Sequence, residues 1–370
     1  ILDILIPKFE WVDLNGSPCI YCLLLYYIIN NILSVKTFSG KLKELSLSFN
    51  HLTELDDDSF VGIEDSLDIL ELSFAFATDV FPQRALRPLS NLLWLVLDNN
   101  NFQKIEATAF YSFQQLRYIN LESNRLHYLP DRIFLSSVHP ELRDVKLGYN
   151  FLEAIPDFSF HNLTELRSLD LTGNRIKMLS SESIIDCPKL VTISLAYNRI
   201  FKMEKNAFLG LISEIGGPDF ALNVSYNAIS VVHSAGLMNN LTRLDLGFNN
   251  ISYLPADTFY GTPDLKSLDL RNNYMALFHY LPDLRQLYLA NCGLGDIPML
   301  PLTNLNVLDL SFNHVDSTME RQFQYLKDLK ILLLVNNSLT SMPNVKLNLL
   351  RELDVSGNPI EVRKFCVTFR

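Results

Sequence analysis

One short pattern recurs through most of the chain and restricts its fold more than any other feature. The pattern is L-x-x-L-x-L-x-x-N-x-L, and residues 42–52, 166–176 and 305–315 show it clearly. Fourteen registers follow one another, with first positions at 42, 67, 92, 116, 142, 166, 190, 219, 241, 265, 284, 305, 329 and 350. Thirteen begin with Leu and twelve carry Asn at the ninth position; the exceptions are Asp219, Ala75 and Cys292. Matches at such regular spacing identify a repeat architecture.

The physical chemistry of the pattern predicts its structure. The alternating x-L-x-L-x core predicts a short strand in every repeat, because successive side chains of a strand point to opposite faces. Stacked repeats then pair these strands into one parallel sheet, and the Asn amide bonds the backbone of the turn that follows. Each repeat is shorter on its strand side than on its opposite side, so the stack curves. The predicted fold class is α/β, a right-handed leucine-rich repeat solenoid (horseshoe) with the parallel sheet on its concave face. Apolar anchors should fill the space behind the sheet: Phe60, Phe110, Phe160, Phe208 and Phe259.

Repeat length divides the chain. The registers step by 24 to 26 residues as far as 190, then by 29 once, and then by 19 to 24. The long step contains Gly216, Gly217 and Pro218, and Asp219 stands where Leu is expected, which predicts a break in strand stacking. A hinge and the trace of a missing segment both fit this irregularity. The expected divisions are a non-repeat segment at 1–40, repeats at 41–210, a junction at 211–222, repeats at 223–360 and a truncated end at 361–370.

The segment 1–40 is open to three interpretations. Its most apolar stretch, Ile20–Ile29 (IYCLLLYYII), is too short to span a bilayer. It could belong to a signal sequence, form a strand or cap over the first repeat, or be unrelated to the mature protein.

Composition and motifs exclude several classes of function. The formal net charge of −10 argues against a nucleic-acid partner, because phosphate binding needs clustered Lys and Arg. Cys19 and Cys22 form a lone C-x-x-C with no second ligand pair, so a cap disulfide or an inert pair is favoured over a metal site. Cys187 and Cys292 fit small buried thiols, although a reactive thiol at Cys292 is an alternative.

Catalytic motifs are missing as well. The sequence contains no G-x-S-x-G, H-E-x-x-H, P-loop or glycine-rich dinucleotide motif. We therefore expect no catalytic residues, no metal and no cofactor, and a protein that binds other proteins.

Two columns of residues are candidates for binding. The residue directly before the ninth-position Asn is often aromatic, and exposed aromatic side chains can anchor an interface. The alternative is that each ring simply packs on the adjacent repeat. The partner-binding candidates are Phe49, Tyr149, Tyr197, Tyr226, Phe248 and Phe312, with Phe74 in the same column. A second column is acidic and could select a basic partner or calcium, although a solvated strand face is favoured; it holds Asp170, Asp245, Asp269, Asp309 and Asp354.

Six N-x-S/T sequences are potential glycosylation sites. Asn15 lies in the non-repeat segment, and Asn223 falls inside a predicted strand, where a glycan would obstruct the sheet. Asn162 and Asn240 lie just before strands and are the best candidates. The four candidates are Asn162, Asn240, Asn250 and Asn336.

The residues also resemble a known family. The stretches LSLSFNHLTELDDDSF (45–60) and LESNRLHYLPDRIF (121–134) are similar to extracellular leucine-rich repeat proteins. More narrowly, the run 43–215 resembles the chaoptin-like adhesion proteins of insect photoreceptor cells. This resemblance implies a glycosylated cell-surface protein that binds another copy of itself on an apposed cell, attached to the membrane by a glycolipid anchor in sequence outside this chain. A ligand-binding ectodomain similar to Toll-type or neuronal receptors is the alternative, and an intracellular scaffold is a third interpretation.

Overall fold

The fold is known from a computed structural model of the chain. The residues described are 22–24, 42–156, 158–180, 183–204, 207–208, 219–232, 240–255, 257–274, 281, 283–343 and 345–361. Most of the expected terminal divisions therefore lie outside the described residues, as does most of the expected junction.

Parallel β-strands make up nearly all of the regular structure. The strands are β1 (Cys22–Leu24), β2 (Glu44–Ser46), β3 (Ile69–Glu71), β4 (Trp94–Val96), β5 (Tyr118–Asn120), β6 (Phe134–Leu135), β7 (Asp144–Lys146), β8 (Phe160–His161), β9 (Ser168–Asp170), β10 (Met178–Leu179), β11 (Ile184–Ile185), β12 (Thr192–Ser194), β13 (Lys202–Met203), β14 (Phe220–Asn223), β15 (Leu241–Asp245), β16 (Ser267–Asp269), β17 (Gln286–Tyr288), β18 (Val307–Asp309), β19 (Ile331–Leu333) and β20 (Glu352–Asp354). One short α-helix, α1 (Gln83–Leu86), and a 3₁₀ helix (Glu320–Phe323) lie between strands.

One 15-stranded parallel sheet runs through the described chain and confirms the predicted solenoid. Its order is β1-β2-β3-β4-β5-β7-β9-β12-β14-β15-β16-β17-β18-β19-β20. Every one of the fourteen registers contributes a strand, and the leucines stack in register, as Leu45 does opposite Leu70 and Leu70 opposite Leu95. The strand β1 adds to the sheet beside β2, so part of the apolar stretch of the N-terminal segment lies at the end of the solenoid.

The side opposite the sheet is built from turns, with little helix. The anchors Phe60, Phe110, Phe160 and Phe208 are buried as expected, and Phe259 packs partly buried against the same core. Aromatic rings of successive repeats stack on one another, as Phe110 does on Phe134 with the ring centroids 5.6 Å apart. Two small convex sheets, β6-β8-β11 and β10-β13, are confined to the middle of the described solenoid.

The prediction of a break in strand stacking was wrong, because the sheet is continuous here and only its register shifts. The strand β14 pairs with β12 on one side and β15 on the other, so the sheet continues past the junction. The irregularity is a bulge between Phe220 and Ala221. Phe220 pairs with Leu241, a first-position leucine, and is fully buried, while Asp219 is exposed and its carboxylate lies 3.1 Å from Nζ of Lys266. A phenylalanine one residue later thus takes the place of the missing leucine.

The ninth-position Asn holds successive repeats together. Nδ2 of Asn174 donates to the carbonyl oxygens of Leu171, in its own turn, and Leu147, in the preceding repeat, both at 3.0 Å. Its Oδ1 accepts a hydrogen bond from the backbone N–H of Leu152, also at 3.0 Å. The same three contacts recur at Asn124, Asn150, Asn198, Asn227, Asn249, Asn273, Asn313, Asn337 and Asn358.

Cys292 occupies one rung of this ladder. Its Sγ lies 3.2 Å from the carbonyl oxygen of Leu270, so the thiol donates where an amide does elsewhere. Burial raises the pKa of the Cys292 thiol to about 11 and that of Cys187 to about 12. Because the thiolate is the reactive form, both cysteines are structural.

We predict that Asn174→Ala destabilises the protein by roughly 2 kcal/mol, because it leaves the Leu152 N–H buried without a partner and removes one of the two hydrogen bonds that the carbonyl oxygens of Leu147 and Leu171 each accept. Asn358→Ala removes the same contacts at a half-exposed position, where water can replace them, and should lower stability by about 1 kcal/mol. Denaturant unfolding followed by circular dichroism measures both losses. Equal losses at the two positions would contradict a ladder whose strength depends on burial.

Candidate protein-binding surface

The candidate aromatic residues all occupy a left-handed turn. All fourteen eighth-position residues have φ between +50° and +71°, whatever their type. Their N–H groups donate to the seventh-position carbonyl of the next repeat, as Phe312 does to Val335 at 2.7 Å. The column holds Phe49, Phe74, Asn99, Ser123, Tyr149, Gly173, Tyr197, Tyr226, Phe248, Asn272, Asn291, Phe312, Asn336 and Gly357.

The backbone conformation does not explain the aromatic side chains. Bulky L-residues rarely adopt positive φ, whereas Gly and Asn do so readily. Seven repeats nevertheless carry Phe or Tyr there, and we call these seven residues the aromatic edge. The residue type at these positions therefore reflects what the rings contact and not what the turn needs.

Five of the seven rings of the aromatic edge stack on a neighbouring ring, and binding through the edge stays a prediction. Tyr226 stacks between Tyr197 and Phe248 at centroid distances of 4.1 and 4.0 Å, and Phe49 stacks on Phe74 at 5.2 Å. The rings thus pack on adjacent repeats. All seven also remain exposed, from 37 % of the Tyr226 surface to 71 % of the Phe49 surface. The edge is therefore a preformed row of rings that a partner can contact.

Gly173 and Tyr149 show how closely this column is packed. A Cβ atom at Gly173, where φ is +71°, would lie only 2.7 Å from Cδ1 of Tyr149. The glycine thus lets the tyrosine ring lie flat on the next turn.

The acidic column serves the backbone. Oδ1 of Asp245 accepts a hydrogen bond from the N–H of Gly247 at 2.9 Å, two residues later. The same contact is made by Asp170, Asp269, Asp309 and Asp354, and by Asn120 and Asn223. In these seven repeats the fifth position supplies an oxygen acceptor to the turn, and either Asp or Asn serves.

The charge of this column goes beyond what the turn requires. Burial raises the pKa of Asp245, and the neighbouring Asp269 raises it further, although the Gly247 N–H and Arg271 oppose the shift. At the more exposed Asp354 the hydrogen bonds from Ser356 dominate instead and lower the pKa. Since Asn makes the same contact without charge, carboxylates at five of these seven positions add a negative potential that the fold does not need.

Acidic residues also outnumber basic residues over the described concave face as a whole. The third, fifth and seventh positions of each repeat face the same side, as the 2.7 Å contact between the hydroxyls of Thr172 and Ser194 shows. Among the described residues at these positions, eleven are acidic and three are basic. The acidic residues are Glu44, Glu71, Asp98, Glu122, Asp144, Asp170, Asp245, Asp269, Asp309, Glu352 and Asp354, and the basic ones are Lys146, Arg243 and Arg271.

Sequence reasoning missed the aromatic groups of the concave face. Trp94 and Tyr118 stack on neighbouring strands with centroids 4.6 Å apart, and Trp94 is 44 % exposed. Nζ of Lys146 lies 5.8 Å from the Tyr118 ring centre. Both aromatics stand at the third position of their repeats, so the alternation of the strand could have placed them on this face.

A second aromatic group contains a complete ion pair. The Arg271 guanidinium lies 5.5 Å from the Tyr288 ring centre, and its Nη2 is 2.6 Å from Oδ2 of Asp269. The hydrogen bond to Asp269 raises the pKa of Arg271. This face thus already combines a cation, an aromatic ring and a carboxylate.

The glycosylation candidates differ in exposure. Asn162, Asn250 and Asn336 are exposed, and Asn336 lies in the same column as the aromatic edge, whereas Asn240 is half-buried. Oδ1 of Asn223 accepts hydrogen bonds from the N–H and hydroxyl of Ser225. The structure thus favours Asn250 and Asn336 over Asn240 as acceptors and gives Asn223 a role in its turn.

Neither a metal-ligand cluster nor a membrane-spanning helix occurs in the described part of the chain. The described residues contain no group of three or more His, Cys, Asp or Glu side chains arranged to hold a metal ion. They also contain no helix with the length and apolarity needed to cross a membrane.

Comparison with known proteins identifies the repeat. The sequence profile described as "Leucine rich repeat" matches residues 40–102, 65–126, 140–211, 239–294 and 303–360. Toll-like receptor 3 of Boselaphus tragocamelus is 28 % identical over 299 residues, which are 76 % of this chain and 31 % of the receptor. Chaoptin of Drosophila melanogaster is 26 % identical over 207 residues, 55 % of this chain and 15 % of chaoptin.

Solved structures agree with the sequence comparison. A structure titled as the TLR13–ssRNA13 complex superimposes with a TM-score of 0.70 at 26 % identity, covering 87 % of this chain and 51 % of that one. The resemblance to chaoptin-like proteins is thus one partial similarity, and Toll-like receptor 3 matches more of the chain. The chain spans about a third of the length of that receptor. The similar proteins include receptors and cell-surface proteins, and no catalytic family is indicated.

We predict that substitution by Asn changes the stability of the protein in opposite directions at two positions of the aromatic edge. Phe312 lies between Asn291 and Asn336 in its column, so Phe312→Asn removes positive-φ strain without removing a ring stack and should raise stability by up to about 1 kcal/mol. Tyr226→Asn loses two stacks, worth about 0.5–1.5 kcal/mol each, and should lower stability. Thermal unfolding of both variants measures the difference, and a loss at Phe312 as large as at Tyr226 would show that stacking does not distinguish them.

Proposed function

The chain belongs to the leucine-rich repeat family, and we propose that it is the recognition region of a cell-surface protein that binds protein partners through its aromatic edge. The supporting observation is the row of exposed rings held at positive φ, where Asn or Gly would satisfy the backbone. Exposed rings held in place by stacking lose little conformational freedom on binding, which suits them to anchor an interface.

Homophilic adhesion between apposed cells is the first candidate. Two concave faces that each carry an excess of carboxylates would repel each other, so a second copy would have to be met elsewhere. The aromatic edge offers a self-complementary surface, since a ring of one copy can stack on a ring of the other. The expected partner is thus another copy of the chain, contacted through the edge, with membrane attachment supplied by other sequence.

A ligand-binding receptor ectodomain is the second candidate. Its support is the similarity to Toll-like receptor 3 over 76 % of this chain. The negative net charge does not exclude a nucleic-acid partner, because a structure with this fold is described as a complex with single-stranded RNA. The acidic concave face would repel phosphates, so such a ligand would have to contact another surface.

We predict that cells displaying the chain cluster with one another, and that Tyr197→Asn together with Tyr226→Asn abolishes the clustering. Asn occurs naturally at this turn position in Asn99 and Asn272, so the variant should fold. Tyr260→Asn is the matched control, because it removes a tyrosine that is 80 % exposed in a turn outside the sheet. Clustering that survives loss of both edge tyrosines would reject homophilic binding through this edge, and no clustering of the unmodified chain would favour the receptor.

An extracellular location, with glycans, is part of the same proposal. We predict that the chain secreted from insect cells loses mass on enzymatic deglycosylation, and that Asn162→Gln, Asn250→Gln and Asn336→Gln each lower the mass by one glycan. Asn223→Gln should leave it unchanged, because the Asn223 side chain accepts two hydrogen bonds from Ser225. Unmodified Asn162, Asn250 and Asn336 would contradict the extracellular assignment.

A further inference from the structure

Two of the three basic residues described on the concave face lie over aromatic rings. Lys146 lies over Tyr118, and Arg271 lies over Tyr288 while paired with Asp269. Among the described residues, no Lys or Arg lies over Trp94, although Trp is the ring that binds cations best. The indole is nonetheless 44 % exposed on the same sheet.

The two faces of the Trp94 ring have different neighbours. Tyr118 on β5 covers one face, with 21° between the two ring planes. The other face looks towards Ile69, which occupies the paired position on β3 and is half-buried. Neighbouring strands lie about 4.8 Å apart, and Ile is shorter than Trp, so the outer part of this ring face stays open to solvent.

A carboxylate stands beside the open ring face. Glu71 follows Ile69 by two residues on the same side of β3 and is exposed. Its carboxylate makes no hydrogen bond or ion pair with the part of the chain that the structure describes. Asp98, on the next repeat, adds a second negative charge, so the surroundings of Trp94 attract a cation and repel an anion.

We propose that Trp94, Ile69 and Glu71 form a docking site for an arginine side chain presented by a different protein. The guanidinium plane stacks on the open face of the indole and donates hydrogen bonds to the Glu71 carboxylate, while its aliphatic stem lies on Ile69. Arginine fits better than lysine, because a planar guanidinium both stacks and bonds a carboxylate with two donors. The arrangement repeats, between two proteins, what Arg271, Tyr288 and Asp269 form within this chain.

This inference names a partner class for the protein-binding role proposed above and rests on that role. It uses the concave face and not the aromatic edge. Failure of the Trp94 site therefore leaves clustering through Tyr197 and Tyr226 untouched, and loss of clustering leaves binding at Trp94 untouched.

The fluorescence of Trp94 tests the proposal directly. The chain has two tryptophans, so Trp11→Phe makes Trp94 the sole reporter. The probe is a short peptide in which arginine alternates with glycine, and its matched control replaces each arginine by citrulline, which has nearly the same shape without the charge. The arginine peptide should change the Trp94 emission saturably, and the citrulline peptide should bind at least about tenfold more weakly. Equal responses to the two peptides would overturn the proposal.

Substitutions separate a local site from general attraction to an acidic protein. Trp94→Leu keeps apolar volume but removes the ring, and calorimetry should show arginine-peptide binding weakened about tenfold. Glu71→Gln should weaken it several-fold, whereas Glu352→Gln, which removes the same charge from an exposed third position at the far end of the sheet, should leave it unchanged. An equal effect of the two glutamate variants would show that net charge alone attracts the peptide and would overturn the site.

The alternative occupant of the Trp94 site is a second copy of the chain. Sedimentation of the unmodified protein and of Trp94→Leu decides this case. The proposal expects the same association state for both. Self-association that Trp94→Leu abolishes would replace the different protein by another copy and overturn the assignment of the partner.

Discussion

The structure depends on how the backbone is satisfied where each strand ends. A parallel sheet of three-residue strands leaves turn carbonyls and N–H groups facing the interior, and each would be costly to bury without a partner. The ninth-position Asn resolves this in most repeats by donating to two carbonyls and accepting from one N–H, as at Asn174. Because one contact reaches the preceding repeat, the residue that completes a turn also fixes the distance between turns. The alignment of the buried leucines of successive strands follows from that spacing.

This constraint explains why the fold could be read from the sequence. A strand, a leucine core and an Asn rung each need a particular residue type at a particular spacing, so all fourteen strands were placed correctly. The exceptions were harder, because they depend on which neighbour can substitute. Phe220 fills the place left by Asp219 through a bulge, and the Cys292 thiol replaces an amide donor. Neither substitution follows from the pattern, since both depend on atoms of the adjacent repeat.

The candidate surface could be predicted only in part, for a related reason. The eighth-position aromatics were visible as a column, but their positive φ and their stacking require the coordinates. The acidic column was visible too, yet its role as an acceptor for the N–H two residues later was not. The Trp94–Tyr118 pair was missed because the residues lie 24 positions apart and meet only when their strands pair. Residues fixed by the repeat are legible in sequence, whereas residues that meet across repeats are not.

These distinctions also separate what the fold requires from what it leaves free. The turn after each strand accepts any residue that tolerates positive φ, and the fifth position holds Asp or Asn in some repeats and Val96 or Leu333 in others. Phe312 stacks on no other ring among the described residues, so the fold gains nothing from its ring, and it gains nothing from the charge where Asp replaces Asn at the fifth position. In the Tyr226 column the ring introduces backbone strain, and at Asp245 burial disfavours the carboxylate. Phe312 and Asp245 thus oppose stability at two different surfaces, the edge and the concave face. Binding at these surfaces is the account that we propose for both, because a partner in contact with these groups would return the free energy that the isolated solenoid loses.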